Sequence, residues 1–180
     1  MAFRLFHFSD IDSIKQFVPR SVQTPSKRTD GFEWLNGPLV WAIDHWRQPM
    51  YLFPRDCPRI LLWRTAHTEA EDAERYFGNT KARIIAYIEE SWLAKFHSET
   101  LFRYEFPVPS FKSIDDAGMW VSNTVVTPVT ITRIEDLPVK LKRENVDLHV
   151  LASLTSLRNV WNSSLHASGI RLCNARDWEN

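Results

Sequence analysis

The side chains best suited to proton transfer and anion recognition are His7, in the aromatic run FRLFHF, and Arg55 with Asp56, in the proline-bounded stretch YLFPRDCPR at 51–59. Histidine titrates near neutrality, and a polar group at the C-terminal end of a strand stands where sites concentrate. The same histidine on an apolar face is equally suited to donating to a backbone carbonyl inside the core. For Arg55 and Asp56 two roles are open: an ion pair that braces the corner, or an anion or carbonyl clamp in which Asp56 orients Arg55. Pro54 and Pro58 restrict their own backbone and that of their predecessors, so Tyr51, Arg55, Asp56 and Cys57 are expected in a set geometry. Cys57 is a nucleophile only if its thiolate is stabilised; Arg55 would help and Asp56 oppose, and inert burial is the favoured reading. Trp120 and Ser122 alternate in MWVSN and share a face, either core or pocket wall, and Ser122 has no placed base. With Trp41 in PLVWAID, the candidate substrate-binding set is Tyr51, Trp41, Trp120, Ser122 and Asp56, and the candidate catalytic pair is His7 and Arg55.

No phosphate-cradling glycine loop, zinc-protease pair, nucleophile elbow or EF-hand loop occurs. The 6 histidines never fall two or four apart, so no metal site is expected. Lys plus Arg and Asp plus Glu number 22 each, without a like-charge run, and this gives no electrostatic footprint for nucleic acid or anionic lipid. Cys57 and Cys173 lack zinc-binding spacing and read as reduced thiols of an intracellular protein. The N-terminus MAFRLFHFSD has neither a signal-peptide pattern nor a long apolar run, so a cytoplasmic protein without a membrane span is expected. Aromatics make up 13% of the chain, with 8 Trp, which suits large core residues or an aromatic-lined ligand pocket.

These side chains must be carried by short elements. A strand is expected over 3–8, with Phe3, Leu5 and His7 on one face, followed by a helix over 11–18 capped by Ser9. Residues 19–38 form a loop punctuated by Pro and Gly, and strands follow at 38–43 and 59–63, with a helical turn at 49–53 between them. A helix at 67–77 with Thr68 as N-cap, a strand at 82–88, a capped helix at 91–96 and a strand at 101–106 come next. Two β-branched strands flank Pro128; Asp136 caps a helix reaching Glu144; a strand at 147–151, a helix at 155–166 and a closing strand at 169–174 complete the chain. Strands outnumber the short helices and no βαβ unit recurs. The pattern predicts one α+β domain over 1–180 with a curved or split, mainly antiparallel sheet.

Three segments in this order, LFHFS, then PLVWAID with YLFPRDCPR, then LFRYEF with WVSNTVVTPVTITRI, resemble an uncharacterised family of small domains found mainly in bacteria. More distantly the arrangement is similar to the ADP-ribosyltransferase-like fold. That resemblance implies a first-strand His on the adenosine-side ribose of NAD, an aromatic stacked on nicotinamide, and a Glu before a late strand that orients the reacting ribose. The first role falls on His7 and the second on Tyr51. The third falls on Met119, which cannot hydrogen-bond a ribose hydroxyl as a carboxylate does, and Glu105, Asp115 and Asp116 are the available substitutes.

The resulting expectation is a small-molecule-binding enzyme on that scaffold, other than an ordinary ADP-ribosyltransferase. The reaction implied is that of a lyase, isomerase or cyclase acting on an aromatic or hydrophobic metabolite without a cofactor. NAD remains an alternative ligand, and the partner is a small molecule rather than nucleic acid or membrane. The competing expectation is a non-catalytic nucleotide-binding or protein-interaction module.

Overall fold

The computed structural model describes residues 3–178 apart from residues 23, 24, 26 and 29, which belong to the loop expected over 19–38. It is an α+β fold with two mainly antiparallel sheets. The chain forms two compact units, one of residues 1–48 with 101–134 and the other of 49–100 with 135–180.

The first unit is built on β1 (Leu5–Ser9), β2 (Val40–Asp44), β5 (Leu101–Phe106), β6 (Lys112–Ser113), β7 (Met119–Ser122) and β8 (Thr130–Ile134). Its strands run antiparallel in the order β6-β7-β2-β1-β5-β8, so β1 is central. Period-two alternation decides which side chains meet. Leu5, Val40, Ala42, Tyr104 and Phe106 share one face and form a core with Phe17, Phe111 and Val126. The reverse face packs Leu39 and Val121 with Leu35 and the half-buried Trp41.

The helix expected over 11–18 is absent: the segment is irregular and Phe17 bridges Val126. Ser9 Oγ accepts from Ile11 N, two residues on, at 3.1 Å rather than capping a helix. The Tyr104 hydroxyl donates to Ile11 O at 2.7 Å and accepts from Ile14 N at 3.2 Å. A tertiary partner thus takes the backbone groups that a helix would have paired internally.

The second unit is built on β3 (Arg59–Trp63), β4 (Ile84–Glu89), β9 (Val146–Leu151) and β10 (His166–Ile170), in the order β10-β3-β4-β9, with only β4 and β9 parallel. Every residue of β3 and β4 is buried, as their near-continuous apolar runs require. Among the described residues of this unit are three α-helices: α1 (Ala70–Phe77), α2 (Leu93–Ser98) and α3 (Leu137–Arg143). Asp136 caps α3 as expected, its side chain accepting from Val139 N. Thr68 does not cap α1; its hydroxyl accepts from Thr65 N at 2.8 Å, and the helix starts after Glu69. Nor is α2 capped by a side chain; a 3-10 turn at Glu90–Trp92 leads into it.

The helix expected over 155–166 is replaced by 3-10 turns at Leu154–Leu157 and Val160–Asn162. Ser153 Oγ accepts from Thr155 N at 3.2 Å, Ser163 Oγ donates to Val160 O at 2.7 Å, and Ser164 Oγ donates to Asp72 at 2.6 Å. These short polar side chains compete for the bonds a helix needs. The closing strand lies at His166–Ile170, earlier than expected, because Arg171 adopts φ 55° and a turn follows at Leu172–Asn174. Within β10, a Cβ on Gly169 would lie 2.5 Å from Leu172 Cδ1 and 2.9 Å from Trp161 Cζ2, so a larger residue there has to push those two side chains aside.

Candidate functional site

In the first unit, His7 stands on β1 opposite Tyr104 of β5. Its Nδ1 lies 2.9 Å from the carbonyl oxygen of Trp41. A carbonyl only accepts, so Nδ1 carries the proton and, in the neutral ring, Nε2 carries the lone pair. The ring packs 4.8 Å from Phe17 and 5.9 Å from Phe106, centroid to centroid. A histidine so fixed has one orientation and one tautomer, the condition for a directed acid/base or acceptor role.

Trp120 is paired with Ala42 and Ser122 with Val40, which places both on the face of His7. Trp120 packs against the core edge, 5.0 Å from the Phe3 ring. Ser122 is buried and its hydroxyl is engaged with Thr124, accepting from Thr124 N at 3.3 Å and lying 3.1 Å from Thr124 Oγ1. Trp41 belongs to the reverse face, so only its backbone carbonyl meets His7. There its indole Nε1 is occluded and has no hydrogen-bond partner among the described residues, and the Arg28 guanidinium lies 5.9 Å from the ring.

The acids divide differently from the sequence expectation. Met119 is paired with Ile43 and Glu105 with Phe6, both on the face opposite His7. Glu105 is held by Arg4, whose Nε donates to Oε1 at 2.9 Å; this bond is the main reason its carboxyl sits below the usual carboxylate range. Asp115 and Asp116 lie in an exposed turn, with Ser113 Oγ donating to Asp115 at 2.8 Å. The acid on the His7 face is Asp44, which pairs with Leu5, is buried, and accepts from Arg47 N at 2.7 Å and Arg47 Nη1 at 2.6 Å. Asp44 directly follows the strand expected over 38–43, and its residue type alone signals no role there.

In the second unit the proline-bounded stretch is a built corner whose central cation is Arg59. Arg55 is exposed, whereas Arg59 is 2% exposed. The Arg59 guanidinium donates from Nε to Met50 O at 2.7 Å and from Nη1 to Cys57 O at 2.8 Å, closing the loop between them. It lies over the rings of Phe53 at 5.3 Å and Tyr51 at 5.7 Å. Burial lowers its pKa to about 10 and raises that of the Tyr51 phenol, which stays a neutral hydroxyl. The Asp56 carboxylate lies 3.9 Å from Arg171 Nε. Asn174 Nδ2 donates to Asp56 O at 2.8 Å, tying the turn after β10 to the corner. The only sequence signal for Arg59 is its position: a charged residue opening an otherwise apolar strand directly after Pro58.

Cys57 is fully buried and Cys173 exposed. Burial is the main cause that pushes the Cys57 thiol up to about 12, which removes about 1000-fold of its thiolate near neutrality and excludes an activated nucleophile. Under native conditions at pH 8, one equivalent of a disulfide reagent is expected to react fast, at Cys173, and the second only on unfolding. Two fast thiols in a release assay would contradict this burial. The same shift costs stability as pH rises from the ordinary thiol value of 9.0 towards about 12, because the unfolded chain ionises Cys57 there and the native chain does not.

Among the described residues, no group of three or more His, Cys, Asp or Glu is placed to hold a metal ion. Among those residues, too, no helix is long and apolar enough to cross a membrane. Two mainly antiparallel sheets, a central strand carrying a fixed His and a proline-bounded corner closed by a buried Arg define an α+β protein with polar centres in both units. The chain belongs to a family of unknown function, DUF6886, whose model matches residues 6–175. No curated protein and no solved structure matches it.

Proposed function

We propose that the chain is a small-molecule-binding enzyme on an ADP-ribosyltransferase-like scaffold, with His7 as the proton-accepting or orienting group. The observation that carries this reading is the bond from His7 Nδ1 to the Trp41 carbonyl at 2.9 Å, which sets the tautomer and aims the ring from the central strand of an antiparallel sheet. Phe17 and Phe106 beside the ring, with Trp120 on the same face, suit an aromatic or hydrophobic ligand. The methionine at position 119, on the reverse face, counts against ordinary ADP-ribosyl transfer, which needs a carboxylate there. The chemistry proposed is therefore one proton transfer aided by positioning, as in a lyase, isomerase or cyclase.

The same missing acid favours, as the second reading, a nucleotide-binding module without catalysis. Thermal-shift measurements with NAD and ADP-ribose separate the two. A ligand at ten times its Kd adds about 1.4 kcal/mol of stability, a rise of several degrees in a domain of this size. Stabilisation by either nucleotide that is lost in His7→Ala is the outcome expected of the nucleotide module. No shift at millimolar nucleotide removes NAD and leaves the cofactor-independent enzyme.

A further inference from the structure

Arg59 is the most deeply buried cation among the described residues of the second unit, and no carboxylate there makes a salt bridge with it; Asp56 acts on it only at longer range. Its two bonds, both to carbonyls, use Nε and Nη1 and leave three of the five guanidinium N–H groups without an acceptor there. These donors lie inside the buried corner, so an anion that meets them is itself taken out of water. The buried carboxylate among the described residues of the unit, Glu89, is engaged elsewhere, by the backbone N–H groups of Leu154 at 3.2 Å and Arg176 at 3.0 Å. Asp56 is turned to solvent and to Arg171, with its side chain 59% exposed. A second cation converges on the corner, since Arg171 directly follows Ile170, the strand partner of Arg59.

A buried guanidinium is retained at a cost unless an anion meets it, and a planar fork held on one side presents its remaining donors in the spacing of two oxygens. We propose that Arg59 is the centre of an oxyanion-binding site in the second unit, taking the phosphate or carboxylate group of a small ligand. Arg171 is its second cation, and the neutral Tyr51 phenol and Phe53 are the aromatic support. The carbonyls of Met50 and Cys57 fix the guanidinium before the ligand arrives, so little ordering accompanies binding. The inference is independent of the role given to His7.

Calorimetric titration of the full chain with sodium phosphate and with sodium acetate, at ionic strength matched with chloride, tests it. Saturable binding of one equivalent is expected, with phosphate tighter for a phosphoryl ligand and acetate tighter for a carboxylate ligand. Arg171→Ala is expected to weaken the preferred anion at least tenfold, and Arg59→Lys, which keeps the charge and loses the fork, by more. Circular dichroism establishes whether Arg59→Lys is folded; if it is not, the partly exposed Arg171→Ala decides alone. No saturable binding of either anion, or binding unchanged in the folded variants, overturns the site. Absence of NAD binding leaves it standing.

Discussion

Arg59→Ala is expected to lower the free energy of unfolding by about 2–5 kcal/mol, the largest loss for any single polar side chain of the second unit. Two carbonyls, those of Met50 and Cys57, would each lose a charge-assisted donor inside a corner that excludes water. Each acceptor left unmet costs about 1–3 kcal/mol, and the emptied volume between Tyr51 and Phe53 adds to it. Release of a desolvated charge works in the opposite direction in both Arg59→Ala and Arg59→Met, and the methionine removes the cavity term by filling the space without a cation. Met is therefore expected to cost less than Ala. Urea unfolding followed by tryptophan fluorescence measures both; a loss under about 1 kcal/mol for Ala would show that the corner does not depend on the guanidinium.

Gly118→Ala is expected to cost about 2–4 kcal/mol for two separate reasons. Gly118 has φ +70°, where an L side chain costs about 1–2 kcal/mol. A Cβ there would also approach Asp44 Oδ2 and would lie 2.7 Å from Arg47 Cδ, forcing the carboxylate off Arg47. The bonds at risk are the 2.7 Å and 2.6 Å contacts that Asp44 makes with Arg47 N and Nη1. In an Asp44→Ala background the clash with the carboxylate is gone and the backbone term and the Arg47 contact remain, so the glycine substitution becomes cheaper there. Equal costs in the two backgrounds would assign the effect to φ and the Arg47 contact and none to the Asp44 carboxylate.

Both predictions fall on residues whose importance the sequence signals weakly. Arg55 and Asp56 stand out in the sequence as charged residues between prolines, yet the buried cation is Arg59, four residues on from Arg55. Pro54 and Pro58 mark the rigid corner in the sequence; which of its two arginines turns inward depends on the strand pairing that buries position 59 beside Ile88 and Ile170. Similarly, period-two alternation places Trp120 and Ser122 on one face and Leu5 with His7 on another strand's face, and the register joins those faces into one. It also moves Trp41 and Met119 to the reverse side, which a one-residue step in any strand would undo.

What the sequence by itself determined are the features set by neighbours in the chain. These include the strands at Arg59–Trp63 and Leu101–Phe106, the Asp136 cap, the predominance of antiparallel strands, and the absence of any phosphate-loop or metal-ligand spacing. Period-two burial, β-branching and capping act over a few residues and are readable there. The tertiary structure decided the outcomes that rest on distant partners. Tyr104 holds the 11–14 segment out of a helix, and serine side chains divide 154–166 into turns. The Trp41 carbonyl fixes the His7 tautomer, and two carbonyls draw Arg59 into the core. Each of these depends on a buried polar group finding a partner remote in sequence or set by the fold of its loop, and burial makes that pairing obligatory.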